Sequence, residues 1–364
     1  MRRRPIWGGS WRRALQGVGG AVVAPLALGT TSRMLPEDRR SWAVGVLAAG
    51  GTSFLVLGPL LGGALVDLIG WRALFAVPVP IALVLAVLVR RIVSASREPR
   101  PRPIDIPAAV MLVVGLVALL GGGIAVVQVG APAFALSALG ALLLVAHVRR
   151  DAGRPAPLLE PQMLRIRALW TPLAALFAIQ FAVFGVTVSL ALYLQRGLGW
   201  SAVAAGAAVA LAGLGTPLLS VPVGRRADRT GARRFVVAGL ALGAVALGLV
   251  AVLAPWGVAV AAVGLLLFAV ARPLVFTPAS AAALTAGGPE RRAYAASLAT
   301  VARQFGAVLG VAMTTLVLTA PGGPVLFGEF RTAVLASGVV VAGAAVAVGL
   351  RMPRTPGAVT RSRS

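Results

Sequence analysis

A single acidic residue stands among arginines at residues 224–234, which read Gly-Arg-Arg-Ala-Asp-Arg-Thr-Gly-Ala-Arg-Arg. The carboxylate of Asp228 could accept charge-assisted hydrogen bonds from the guanidinium groups around it, or it could lie at the positive N-terminus of the next helix. A contact of either kind can hold one conformation and be released in another, so this stretch could act as a latch. A solvated basic loop is the alternative. The residues that carry the latch hypothesis are Gly224, Asp228, Arg229, Gly231, Arg233 and Arg234.

Several polar side chains lie inside or beside long apolar runs, where a charged group is costly and normally faces a cavity or a partner. Arg13 and Gln16 share one helix face with two glycines, although an interfacial position would also explain Arg13. Arg272 precedes a proline, and either a cavity arginine or a misplaced helix boundary would account for it. For Gln180 the alternative is a hydrogen bond between helices. The candidates for a cavity or a relay are Arg13, Gln16, Gln180, Arg272, Arg303 and Gln304.

Residues 58–63 have the order Gly-Pro-x-x-Gly-Gly, which could bend a helix. The proline lacks a backbone donor, and small residues at positions i and i+4 let a neighbouring helix approach closely. A plain packing kink is the alternative. The residues concerned are Gly58, Pro59, Gly62 and Gly63.

The composition sets the class of protein in which these groups work. Of the 364 residues, 59% are hydrophobic and only 12% are charged, and the mean hydropathy is +0.92. A water-soluble globule needs more polar surface than this composition provides. With no cysteine and His147 as the one histidine, the chain cannot form a disulfide or a thiolate or histidine metal site. It also has no lysine for a phosphate loop and no nucleophile motif, so we expect neither an enzyme nor a bound cofactor.

Apolar runs recur along the whole chain, and each is long enough to cross a hydrocarbon core of roughly 30 Å. Abundant glycine and alanine, without alternation of period two, indicate helices rather than strands. We therefore predict an all-α fold, a polytopic transmembrane helical bundle of about eleven spans. The predicted spans are residues 14–32, 42–66, 73–90, 106–128, 131–148, 168–195, 202–222, 235–254, 257–284, 294–319 and 330–350.

The net charge of +24 comes from arginines concentrated in alternate gaps between these spans. This is the distribution of a membrane protein whose basic loops stay in the cytoplasm. If residues 224–234 are cytoplasmic, so are Ala95 and the C-terminus, whereas Gly197 and Gly323 lie outside. The basic charge then serves topology, and it needs no nucleic acid or other anionic partner. The intervening gaps hold only Arg72, Arg196 and Arg331.

The motifs together resemble those of the drug:proton antiporters of the major facilitator superfamily. The resemblance covers essentially the whole chain. The long basic connection from Arg90 to Asp105, followed by an extra pair of spans, resembles the fourteen-span branch of that family. The segments that match family motifs are residues 13–21, 58–63, 224–234 and 303–310.

The resemblance implies a secondary active transporter, a proton-coupled exporter of drugs or other small hydrophobic molecules. Its partners would be a lipophilic small molecule, protons and membrane lipid. It would lie in the plasma (inner) membrane with a cytoplasmic C-terminus. The implied domains are the remainder of an N-terminal helical bundle at 1–92, an extra two-span linker at 93–165, a C-terminal helical bundle at 166–350 and a basic cytoplasmic tail at 351–364.

On this alignment the chain begins at the family's fourth helix and lacks the first three. With an odd number of spans, the arginines of residues 1–13 would lie outside, which the positive-inside rule opposes. We therefore expect the open reading frame to extend upstream and to encode three further spans. The alternative is a non-transporting truncated membrane fragment of such an exporter.

Overall fold

The computed structural model describes the chain in several stretches, and nearly all the described residues are helical. No strand occurs among them, so the prediction of an all-α fold is confirmed. The described stretches are residues 41–51, 76–92, 105–129, 132–151, 166–286, 291–318 and 327–353, with the single residues 17, 19, 20, 23, 26, 27, 30, 35, 36, 39, 53, 69, 163 and 288.

The helices of these stretches are numbered in chain order. A π-helical turn, Tyr193–Gly197, continues α5, and a 3-10 turn, Ala254–Trp256, continues α8. The helices are α1 (Ser41–Gly51), α2 (Pro78–Ile92), α3 (Ile106–Val129), α4 (Ala133–Asp151), α5 (Arg167–Leu192), α6 (Ala202–Gly213), α7 (Gly215–Thr230), α8 (Ala232–Leu253), α9 (Val258–Ala286), α10 (Arg292–Val317) and α11 (Phe327–Arg351).

Six helical segments of the described part are long and apolar enough to cross a membrane, with 24 to 31 residues each. At a rise of about 1.5 Å per residue, such lengths match or exceed the hydrocarbon thickness of a bilayer. These six segments confirm the predicted helical membrane bundle. The predicted total of about eleven spans can be compared with the structure only over the described residues. The segments are Arg167–Gly197, Ala204–Thr230, Ala232–Trp256, Val260–Ala286, Tyr294–Val317 and Phe327–Arg351.

The C-terminal helices form one packed bundle. Helix α5 lies against α9, α10 and α11, and α8 packs against α9 and α11. Large apolar side chains fill the space between them and are almost completely buried, as expected for a close-packed interior. They include Ile179, Leu240, Leu247, Phe268 and Phe330.

The outer surface of the bundle is also apolar. Leu218 of α7 is 70% exposed, and Val339 and Leu350 of α11 are 71% and 79% exposed. Large exposed apolar surfaces are unfavourable in water and mark contact with lipid or another apolar partner. Apolar side chains both inside and outside the bundle are consistent with helices that lie in a membrane.

The prediction of a loop at residues 224–234 was wrong. Helix α7 continues through Thr230, and α8 begins at Ala232. Four of the seven residues 224–230 are arginine or alanine, which are strong helix formers, and this composition favours continuation of the helix up to Gly231. The break falls at Gly231, whose φ of 94° is one that glycine adopts without strain.

The helix around Arg272 decides between the two explanations offered for this arginine, a cavity position and a misplaced helix boundary. Helix α9 passes without interruption through Pro273 and Pro278, because a membrane helix tolerates proline when its neighbours satisfy the freed backbone groups. Of the two explanations for Arg272, the misplaced helix boundary is therefore wrong. Arg272 lies inside a membrane-length helix.

Helices α3 and α4 pack against each other as a hairpin. Asp105 precedes α3, and its Oδ1 accepts a hydrogen bond from the backbone N of Ala108 at 3.1 Å. Its Oδ2 lies 4.0 Å from Arg150 at the end of α4. Asp105 therefore caps one helix and contacts the other within a single hairpin.

Candidate functional site

Asp228 lies in the last turn of α7 and binds the N-terminus of α1. Its Oδ1 accepts a hydrogen bond from the backbone N of Ser41 at 3.0 Å, and its Oδ2 accepts one from the backbone N of Trp42, also at 3.0 Å. The first amides of a helix have no partner within the helix and carry its positive dipole end. The carboxylate thus satisfies two unpaired donors with its own negative charge.

Two glycines let α1 and α7 approach closely enough for this contact. A Cβ atom on Gly224 of α7 would clash with the carbonyl oxygen of Ser41, and one on Gly45 of α1 would clash with the carbonyl oxygen of Ser220. Backbone therefore touches backbone at two places, one turn apart on α1 and one turn apart on α7. Such small-residue crossings bring membrane helices into tight contact. The position of Gly224 in the motif now has a physical reason.

The helix N-terminus that Asp228 binds is not that of the next helix in the chain, which was the one considered from the sequence. The contact has the predicted character, a carboxylate at a helix N-terminus, but the helix begins 187 residues earlier in the chain. Local sequence shows only that a helix start needs an acceptor. It does not show which helix start the folded chain brings to Asp228.

The other basic residues of the stretch lie around this contact. Arg233, in the first turn of α8, donates a hydrogen bond to the carbonyl oxygen of Gly349 near the end of α11. Arg229 and Arg234 are exposed. Arg229 also helps to line a groove on α7, together with Val221, Pro222, Arg225 and Arg226. The basic stretch thus connects α1, α8 and α11 at one end of the bundle.

A second polar cluster lies at mid-length of α9 and α10. Arg272 is at the midpoint of α9, and Arg303 is close to the midpoint of α10. The guanidinium carbon of Arg303 lies 5.2 Å from the ring centroid of Phe276, within the range of a cation–π contact. Phe276 follows Arg272 by one helical turn, so both arginines lie near one aromatic ring.

The two glutamines are placed differently. Gln180 is buried in α5, and its Oε1 has no hydrogen-bond partner among the described residues. Gln304 follows Arg303 on α10, but its side chain is exposed. The roles of these residues stay predictions.

The remaining predicted residues lie outside the part of the chain that the structure describes. Their proposed roles in a helix bend and in a relay stay predictions. They are Gly58, Pro59, Gly62, Gly63, Arg13 and Gln16.

Three residues of these clusters were not singled out from the sequence. Ser41 and Trp42 follow two arginines and open an apolar run, which is a recognisable helix start. Phe276 could have been found from its spacing of four residues after Arg272, because residues i and i+4 share a helix face. The contact between Arg303 and Phe276 joins two helices and has no sequence signal.

Comparison with known proteins supports the same class of molecule. A family model of the Major Facilitator Superfamily matches residues 10–311 and 173–364. The chain is 28% identical over 315 residues to "Multidrug resistance protein Stp" of Mycobacterium tuberculosis, covering 85% of this chain and 58% of that protein. It is 28% identical over 323 residues to "Methyl viologen resistance protein SmvA" of Salmonella typhimurium, covering 84% and 63%.

A third relative is "Multidrug efflux pump LfrA" of Mycolicibacterium smegmatis, 29% identical over 236 residues that cover 64% of this chain and 47% of that protein. The matched region of the chain therefore spans between 47% and 63% of the length of these three relatives.

Proposed function

The chain belongs to the Major Facilitator Superfamily, and from this premise we propose that it works as a secondary active exporter of small, largely apolar molecules, driven by the proton gradient. Family membership indicates a transporter rather than an enzyme. Relatives named for multidrug resistance, methyl viologen resistance and multidrug efflux support export of small molecules. Proton coupling, contact with membrane lipid, the inner-membrane location and a cytoplasmic C-terminus belong to this proposal.

The contact between Asp228 and α1 is the observation that carries the proposal. On the proposed domain division, α1 belongs to the N-terminal bundle (1–92) and α7 to the C-terminal bundle (166–350). A transporter that alternates access must bring such halves together and separate them in each cycle. Hydrogen bonds to a charged group contribute about 1.5–3 kcal/mol each. A contact of this strength favours one conformational state, and it can still be broken in each transport cycle.

The close backbone packing of α1 and α7 supports this mechanism. Because Gly224 and Gly45 bring backbone against backbone, a small rotation of one bundle separates the helices and removes both hydrogen bonds to Asp228. Packed interfaces have two discrete arrangements rather than a continuous range. Asp228 therefore acts as a latch that closes one side of the transporter.

Export should depend on the proton gradient. We expect cells that produce the protein to accumulate less of at least one of two fluorescent xanthene dyes, anionic fluorescein or cationic pyronin Y, than cells with an empty vector. Fluorescence of washed cells over time measures the accumulation. Collapse of the gradient with a protonophore should remove the difference, because a secondary transporter has no other energy source.

Equal accumulation of both dyes with and without the protein, at a verified membrane level of the protein, would contradict the proposed export. A difference that survives collapse of the gradient would contradict proton coupling.

The orientation of the chain can be tested with single cysteines, because the chain has none of its own. Cysteines replacing Ala95 and Arg229 should react only after the membrane is made permeable, since the arginine-rich ends of membrane helices and the arginine-rich segments between them stay in the cytoplasm. Cysteines replacing Gly197 and Gly323 should react in intact cells. Labelling with a membrane-impermeant maleimide measures both. Reaction of Arg229→Cys in intact cells would place the latch on the outer side and overturn the assignment.

A further inference from the structure

Arg272 and Arg303 bring two positive charges to the same level of the bundle. Each lies at or near the midpoint of a helix that is long and apolar enough to span a membrane. Both side chains are partly buried. Charged side chains at this depth are costly and normally face a partner or a cavity.

Among the described residues, the helices that pack against α9 and α10 offer no acidic residue at that level. Helix α9 packs against α5, α6, α7, α8 and α10, and α10 also contacts α3 and α11. The acidic residues of these helices are Asp228 and Glu329, one in the last turn of α7 and the other in the first turn of α11. Asp228 binds α1, and Asp105 lies before the start of α3. All these carboxylates are at helix ends.

Phe276 and the Nε atom of Arg272 show what kind of group would complete the cluster. The ring of Phe276 lies beside the Arg303 guanidinium and adds an aromatic surface. The Nε of Arg272 is buried and has no hydrogen-bond partner among the described residues. A buried donor without a partner is unfavourable, and a guanidinium group is shaped to bind a carboxylate or a similar planar anion.

We propose that Arg272, Arg303 and Phe276 form a binding site at mid-membrane for the anionic group of the exported molecule, a carboxylate or sulfonate on an aromatic body. The inference rests on the proposed function and specifies its substrate class. The anion would satisfy the buried donor of Arg272 and offset the positive charge of the arginines, while its aromatic part would lie against Phe276. Desolvated charge pairs of this kind are strong because water does not screen them.

Binding to the purified protein in detergent tests the site without requiring transport. Fluorescence polarisation would be used to titrate fluorescein and pyronin Y, which share the xanthene ring system and differ in charge. We expect fluorescein to bind at least about ten-fold more tightly than pyronin Y. Arg272→Gln and Arg303→Gln should each weaken fluorescein binding about ten-fold or more, the size expected when one hydrogen bond to a charged group is lost.

Two controls keep the test decisive. Arg331→Gln, at an exposed arginine of α11, should leave fluorescein binding unchanged. In the unmodified protein, naphthalenesulfonate should displace fluorescein and neutral naphthalenemethanol should not. This competition experiment uses no variant, so it tests the site even if a glutamine variant fails to fold.

Equal affinity for the two dyes, or unchanged fluorescein binding in folded Arg272→Gln and Arg303→Gln, would overturn the proposal. Because binding is measured on purified protein, loss of dye export in cells would contradict the proposed function and not this site.

Discussion

Replacement of Asp228 by asparagine is expected to slow export about ten- to 150-fold without loss of the protein from the membrane. Asparagine nearly keeps the shape but removes the charge and replaces one of the two acceptor oxygens with an NH2 donor. One of the two hydrogen bonds from the backbone N atoms of Ser41 and Trp42 is therefore lost, which costs about 1.5–3 kcal/mol, a factor of roughly 10–150. Every cycle passes through the state in which α1 and α7 are joined, so a lower population of that state slows every cycle. The initial rate of dye efflux, divided by the membrane level of the protein, measures the effect.

Hydrogen exchange gives a second readout of the same change. The amides of Ser41 and Trp42 are protected by Asp228 in the structure, so the peptide that contains them should exchange faster in Asp228→Asn. A general loss of stability would instead raise exchange across α5 and α9 as well. The two patterns separate a broken latch from a damaged fold.

Asp105→Asn is the matched control. Asp105 also accepts a hydrogen bond from a helix N-terminus, but its backbone partner, Ala108, belongs to the helix that directly follows it. Its loss should weaken the α3–α4 hairpin locally and leave the export rate close to that of the unmodified protein. Export by Asp228→Asn at the unmodified rate, or equal impairment of both variants, would contradict the latch.

A covalent link between α1 and α7 is expected to abolish nearly all export. Ser41→Cys is a small change that keeps the backbone donor to Asp228, and Arg225→Cys lies on exposed surface beside Gly224. The backbone contact between Ser41 and Gly224 brings these positions within reach of a short bis-methanethiosulfonate reagent. A transporter held in one state cannot alternate access, so the block should be complete rather than partial.

Reduction should restore export, because the reagent is attached to the two introduced cysteines through disulfides that a reductant cleaves. The chain contains no cysteine of its own for the reagent to modify. Each single-cysteine variant should export normally after the same treatment. Efflux from membrane vesicles, with the extent of cross-linking read from electrophoretic mobility, provides the measurement. Export by fully cross-linked protein at the unmodified rate would show that α1 and α7 stay together throughout the cycle.

The all-α class and the approximate length of the helices could be predicted in the described part of the chain because they depend on local composition, although the predicted span 202–222 is divided into α6 and the longer α7. A run of twenty or more apolar residues has few alternatives in a membrane, where every backbone group must find its partner within the helix. The predicted spans 235–254 and 330–350 therefore differ from α8 and α11 by only a few residues. The predicted span 202–222 ends eight residues before α7 does, because a run of arginines predicts a loop although arginine is a good helix former.

The residue types also showed where chemistry could occur. Asp228 is notable because it is a carboxylate among arginines, and Arg272 because it is a charge within an apolar run. Both conclusions follow from the cost of an uncompensated charge near or inside a membrane, which does not depend on the fold.

The partners of these residues depend on the packing of distant helices. Asp228 reaches α1 because two glycines, Gly45 and Gly224, allow the backbones to touch, and 179 residues separate those glycines in the chain. Arg303 meets Phe276 because α9 and α10 pack side by side. The local sequence shows which charged groups need a partner. The partner itself depends on which helices pack together, and that is decided by shape and close packing along whole helices. No short stretch of sequence contains this information.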